Sequence, residues 1–154
     1  ASTGLGVVGL SWQSGPAVTE VEEVTTDWVR RMVGLPDGWS GVIQDTASTS
    51  TLVALVCARE RATGYGMARG GLQAEPKPLA VYACAHSHSS VDKAALLAGF
   101  GREAIRLVPF DGGTYAMRAD ALEAMVREDE ARGLRPCAVV ATTGTTATTA
   151  LDPV

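Results

Sequence analysis

Apolar residues along this chain alternate between helical spacing and short unbroken runs. From Pro16 onward, Val21, Val24, Trp28 and Met32 recur at three- and four-residue steps with charges between them, predicting a helix that Gly34 and Pro36 stop. The pair Val42 and Ile43 predicts a short strand, and LVALVCARERATG after it predicts a second helix. Gly64 to Pro78, rich in glycine and proline, reads as a surface connection. Leu79 to Ala85 is a continuous apolar run of strand length. It stops abruptly at His86, Ser87, His88, Ser89 and Ser90, which open a helical pattern reaching Gly99. Ile105 to Val108 predicts the next strand and Asp111 to Gly113 a turn. A helix over Ala119 to Arg132 follows, with Leu122, Met125 and Val126 inward, Glu128 to Glu130 on a solvated face, and Gly133 at its end. Cys137 to Thr142 predicts the last strand, which runs into TTGTTATTALD. Ala1 to Trp12 fits neither period.

Strands alternating with helices, and strands that are apolar throughout, define an α/β fold: a mostly parallel sheet covered by helices on both faces. Parallel strands end on one edge, where open α/β sheets hold their ligands. Three polar segments fall there, Asp45 to Ser48, His86 to Ser90 and Thr143 to Thr146.

With 154 residues, 46% hydrophobic and 19% charged, the chain can build a real core. Its net charge of -4 argues against a nucleic-acid partner, and its apolar runs are too short to span a membrane. The start carries no signal-type segment. Cys57, Cys84 and Cys137 lack CxxC spacing and read as reduced core thiols of a cytoplasmic protein. Trp12, Trp28 and Trp39 read as packing residues.

The hydroxylated stretch QDTASTST suits an anion, because helix-start N–H groups and the dipole point there; a plain N-cap is the alternative. His88 is the candidate working residue, with helix capping as its alternative role. His86 and His88 form an HxH pair, but no third ligand lies nearby in sequence, so no metal is expected. An anion cradle, an imidazole and a threonine-lined loop suit a ligand with a phosphate and a flat polar ring. Nucleotides qualify, but their glycine fingerprints are absent. Pyridoxal 5'-phosphate also qualifies, with its phosphate at Thr46, Ala47 and Ser48 and its ring under His88.

VIQDTASTSTLVAL, HSSV at His88, DGGTYAMRADAL and ARGLRPCAVVATTGTTATTALD closely resemble the group II pyridoxal-phosphate-dependent decarboxylases, among them the aromatic-L-amino-acid decarboxylases. The resemblance covers essentially the whole chain. It implies part of a fold-type-I, aminotransferase-like large domain, residues 1–154, with the active site at a homodimer interface. By position, Ala47 and Ser48, with Thr46 beside them, match the phosphate-binding pair; His88 matches the histidine stacked on the cofactor, and Thr146 a threonine at the cofactor. Val8 and Leu10, in a substrate-pocket and dimer segment over residues 1–15, match positions lining the neighbouring subunit's substrate pocket. Asp45, Thr49 and Ala85 depart from the family's usual glycine and acidic residues. The implied reaction converts an aromatic L-amino acid to its amine and CO2. Decarboxylases of glutamate, histidine or other amino acids, aldehyde synthases, and a non-catalytic α/β domain binding a phosphate metabolite or a protein remain as alternatives. Neither Lys77 nor Lys93 stands at the family's Schiff-base lysine position, and no candidate for the carboxylate at the pyridine nitrogen appears. The chain therefore reads as an internal fragment, inactive by itself.

Overall fold

The computed structural model describes residues 6, 7, 9 and 11–154. They form two compact units that divide between Asp45 and Thr46.

In the first unit, helix α1 spans Pro16–Met32, with proline in its first turn and Arg30 and Arg31 in its last. Both placements suit the backbone, since proline lacks the N–H that the first turn leaves unpaired and cations favour the carboxyl end. The expected strand at Val42 and Ile43 does not form. Instead the segment lies along α1: the Ile43 N–H donates to Glu22 Oε1 at 2.6 Å. A Cβ at Gly41 would stand 2.8 Å from Thr26 Cβ, so only glycine allows this approach. Two apolar residues are too few to hold a sheet register against that local anchor. The α1 stripe is exposed, from 43% at Val24 to 76% at Met32. Trp12, Trp28 and Trp39 are exposed as well, which corrects their expected packing role.

The second unit opens with helix α2, Ala47–Thr63, which starts five residues before its apolar pattern because Thr46 caps it. Two short 3-10 turns, Gly66–Arg69 and Leu72–Ala74, lead to strand β1, Leu79–Cys84. Helix α3 (Ser90–Leu97), strand β2 (Ile105–Val108), helix α4 (Ala119–Ala131) and strand β3 (Arg135–Val140) complete it. The sheet order is β2-β1-β3, parallel throughout, with Val81 opposite both Ile105 and Ala138. The described sheet thus has three strands where the sequence predicts four.

All six residues of β1 are buried because it is central in the sheet and covered on both faces. Ala80, Tyr82 and Cys84 pack with Val108 and Met117 against Leu122, Met125 and Val126 of α4. Val81 packs with Leu55 of α2 and Ala94 and Ala95 of α3 on the other face. Burying a side chain such as Val81 contributes about 1.5–3 kcal/mol.

Asp129 corrects the solvated-face expectation: it is fully buried, one turn beyond Met125 and Val126 on the same stripe. Its Oδ2 accepts hydrogen bonds from Tyr82 OH at 3.1 Å and Arg106 Nε at 2.9 Å. Gly133, at φ +88°, then turns the chain toward β3. The cysteines are free, but only Cys84 is a core thiol; Cys137 is half-buried and Cys57 is exposed. Among the described residues no helix is long and apolar enough to cross a membrane.

Candidate functional site

Strand β1 ends in a tight turn in which the Ser87 N–H donates to the Cys84 carbonyl at 2.9 Å. His88 follows, exposed, with Nδ1 accepting the Ser90 N–H at 3.2 Å. The imidazole therefore caps the start of α3. Accepting through Nδ1 assigns the proton of the neutral ring to Nε2. His86 has different company: its ring meets Phe110 edge-on at 4.5 Å and Tyr115 at 5.5 Å. Those rings come from the loop after β2, which the Asp111 carboxylate organises by accepting from Gly113 N, Thr114 N and Thr114 Oγ1. These bonds, chiefly the Thr114 N–H, hold the Asp111 carboxyl below the usual carboxylate range. They also keep Tyr115 at φ +60°, a conformation that non-glycine residues rarely adopt.

The start of α2 arrives beside this turn. Thr51 Oγ1 lies 3.5 Å from Ser90 Oγ, so the second turn of α2 adjoins the start of α3. Thr46 Oγ1 accepts the Thr49 N–H at 3.2 Å, and the Thr46 carbonyl accepts the Ser50 N–H. The capping alternative is thus realised, yet it leaves the Ala47 and Ser48 N–H groups without an intrahelical acceptor. Ala47 and Ser48 are exposed, and the first turn carries no acidic residue.

The third element is the loop after β3, closed by a Thr143–Leu151 bridge. Thr145 is buried and serves the loop, accepting the Ala150 N–H at 3.0 Å. Thr146, exposed at the loop tip, makes no hydrogen bond among the described residues. Asp152, which the sequence reading missed, is buried beneath; its Oδ2 accepts the Thr142 N–H at 2.8 Å and its Oδ1 the Met117 N–H at 2.7 Å.

All three turns follow from the carboxyl edge of one parallel sheet or adjoin it. A cavity of about 270 Å³ opens at His88, lined also by Ser87, Asp92, Arg102 and Leu107. Thr46, Ala47, Ser48 and Thr146 do not line it. Val8 and Leu10 lie outside the described residues. Lys77 precedes β1 at the opposite edge, about 20 Å from the His88 turn at ~3.3 Å per strand residue. Lys93 is exposed on α3. Among the described residues no group of three or more His, Cys, Asp or Glu could hold a metal ion.

Backbone donors at a helix start, an exposed imidazole with an N–H to give, and an unengaged threonine hydroxyl suit an anionic group attached to a flat ring. Fold and edge together define an α/β domain of the ligand-binding kind. Residues 2–154 match the pyridoxal-dependent decarboxylase conserved domain, and the chain belongs to that family. It is 43% identical to an aromatic-L-amino-acid decarboxylase of Bos taurus over 96% of this chain and 32% of that protein. It is 39% identical to a phenylacetaldehyde synthase of Arabidopsis thaliana over 99% and 31%. Among solved structures, Oryza sativa TDC with PLP and tryptamine superposes with a TM-score of 0.87 at 37% identity, covering 99% of this chain and 32% of that one. Mouse CSAD superposes with a TM-score of 0.90 at 31% identity, covering 99% and 31%. The fold is that of fold-type-I pyridoxal-phosphate enzymes, and the chain spans about a third of the length of the relatives it matches. The family's cofactor, pyridoxal phosphate, is a phosphate ester on a planar pyridine, which the donor set fits.

Proposed function

We propose that the whole protein is a pyridoxal-phosphate-dependent decarboxylase acting on an aromatic L-amino acid. The observation that carries the reading is the adjoining of the α2 start and the His88 turn through Thr51 and Ser90, at the sheet edge that also bears Thr146. On this reading the Ala47 and Ser48 N–H groups and the Ser48 hydroxyl hold the phosphate, with the α2 dipole behind them. Thr46 keeps that helix start in shape. The His88 ring would stack against the pyridine, with the Nδ1 bond to Ser90 holding the imidazole in place and leaving Nε2–H free to donate. Thr146 Oγ1 offers a hydrogen bond to the bound pair. When bound, the cofactor supplies the electron sink for loss of CO2.

The covalent lysine and the carboxylate at the ring nitrogen then come from the remainder of the whole protein, since Lys77 is on the far edge and Lys93 on an exposed helix face. By itself the 154-residue chain is inactive. Val8 and Leu10 line the substrate pocket of a second subunit, residues 1–15 serve the dimer contact, and the assembly is a homodimer. The free cysteines suit a cytoplasmic location.

The test uses the full-length protein. Pyridoxal phosphate is expected to give a visible absorption band, and L-tryptophan, L-tyrosine or L-dihydroxyphenylalanine to give CO2 and the amine. No band overturns the cofactor assignment and favours a non-catalytic binding domain. Turnover of L-glutamate or L-histidine alone overturns the aromatic substrate. Aldehyde with ammonia assigns the synthase reaction instead, a reading supported by the 39% identity to phenylacetaldehyde synthase.

A further inference from the structure

Asp152 stands apart from the other carboxylates of this edge. It is 4% exposed, and each of its oxygens takes a backbone N–H from a different loop, Met117 after β2 and Thr142 after β3. Its own N–H donates to the Thr142 carbonyl at 2.9 Å, which already closes the β3 loop. The bond to Met117 adds something closure does not need: it reaches 35 residues back along the chain. Met117 pairs with Phe110 across the β2 loop, and within that loop the Asp111 N–H donates to the Ala116 carbonyl at 2.9 Å. The rings of Phe110 and Tyr115 flank His86, two residues before His88. A continuous set of contacts thus runs from the loop bearing Thr146, through one carboxylate, to the turn bearing His88.

We propose that Asp152 is a positioning residue for the cofactor edge, fastening the Thr146 loop to the Phe110–Met117 loop and through it to the His88 turn. The proposal rests on the reading that this edge holds pyridoxal phosphate. Only a group that accepts at both ends serves. In Asp152→Asn the amide NH2 faces one of the two backbone N–H groups, so one arm opens while the volume stays the same. Asp129 supplies the contrast. It is buried too, but its side chain accepts from Tyr82 of β1 and Arg106 of β2, and among the described residues it hydrogen-bonds to neither loop.

The experiment compares full-length wild type, Asp152→Asn and Asp129→Asn, each held below its melting temperature. Pyridoxal phosphate affinity is read by fluorescence titration and the setting of the bound cofactor by visible circular dichroism. Asp152→Asn is expected to weaken binding about tenfold, the scale set by one buried donor left unpaired, and to change the visible dichroism. Asp129→Asn lowers the melting temperature but leaves both readouts within about twofold of wild type. A folded Asp152→Asn protein with wild-type affinity and dichroism overturns the proposal while leaving the cofactor reading intact. A wild type that binds no pyridoxal phosphate overturns the cofactor reading, and this proposal with it. If Asp152→Asn does not accumulate folded, amide exchange in wild type decides. Adding pyridoxal phosphate slows exchange at Met117 and Thr142 together by about tenfold or more, whereas an unchanged Met117 amide overturns the link.

Discussion

His88 uses one ring nitrogen to cap α3 and keeps its ring exposed, and two substitutions separate these roles. His88→Asn retains an acceptor for the Ser90 N–H but has no ring, whereas His88→Ala has neither. We expect His88→Ala to lose about 1 kcal/mol of stability and His88→Asn much less, with both weakening cofactor binding about 2- to 10-fold. Urea titration and fluorescence binding on the full-length protein check this; equal stability loss in both would refute the cap. Tyr82 makes a second prediction. Burial first, then the bond to Asp129, pushes its pKa up to about 12 from 10.0. The folded state therefore holds this proton more tightly than the unfolded state. That contribution is whole below pH 10 and is lost as pH rises to about 12. The urea midpoint of wild type should fall toward that of Tyr82→Phe across this window, with the gap between them constant below it. His88 and Thr146 were legible because polar residues end an apolar run at a strand end, and Thr46 to Ser48 because small hydroxylated residues precede a helical pattern. Asp129 was legible in principle, since it continues the stripe of Leu122, Met125 and Val126, but its charge and acidic neighbours concealed the position. Asp152 carried no local signal: its Met117 partner is fixed only when two loops meet.

Among the elements, α2 gives the most direct test of the anion cradle. Ser48→Asp places a carboxylate at the exposed helix start, where the dipole stabilises it by about 0.3–1 kcal/mol. The same charge repels a phosphate. Stability and pyridoxal phosphate affinity should therefore move in opposite directions, measured by urea titration and fluorescence binding. Both rising together would place the phosphate elsewhere. Thr46→Ala, which loses the bond to the Thr49 N–H, should cost about 1 kcal/mol and weaken binding as the first turn frays. Helices α1 and α4 and all three strands were readable from spacing because each supplies several periodic or contiguous apolar residues. The start of α2 was not, since its first turns are almost wholly hydroxylated and only the cap marks them. Val42 and Ile43 misled for the opposite reason: they look like a strand, but Glu22 and the space at Gly41 decide their place.

At the scale of the molecule, each unit leaves large apolar side chains exposed: Val21, Trp28 and Met32 on α1 in the first, Leu97 on α3 and Leu107 on β2 in the second. The 154-residue chain expressed alone should bind a hydrophobic dye and elute as aggregates, as patches of this kind and unpaired strand edges promote association. Light scattering after size exclusion checks it; a monodisperse, dye-negative monomer would contradict it. The sheet order has a consequence for synthesis. β1 lies between two strands that both come later in the chain, and β3 ends at Val140, 56 residues after Cys84. At about 5–20 residues per second, a nascent LAVYAC segment waits roughly 3–11 s before its second neighbour has been made. During that interval a ribosome-associated chaperone has an uncovered apolar hexapeptide to hold, and slowing translation between Cys84 and Val140 would lengthen its hold.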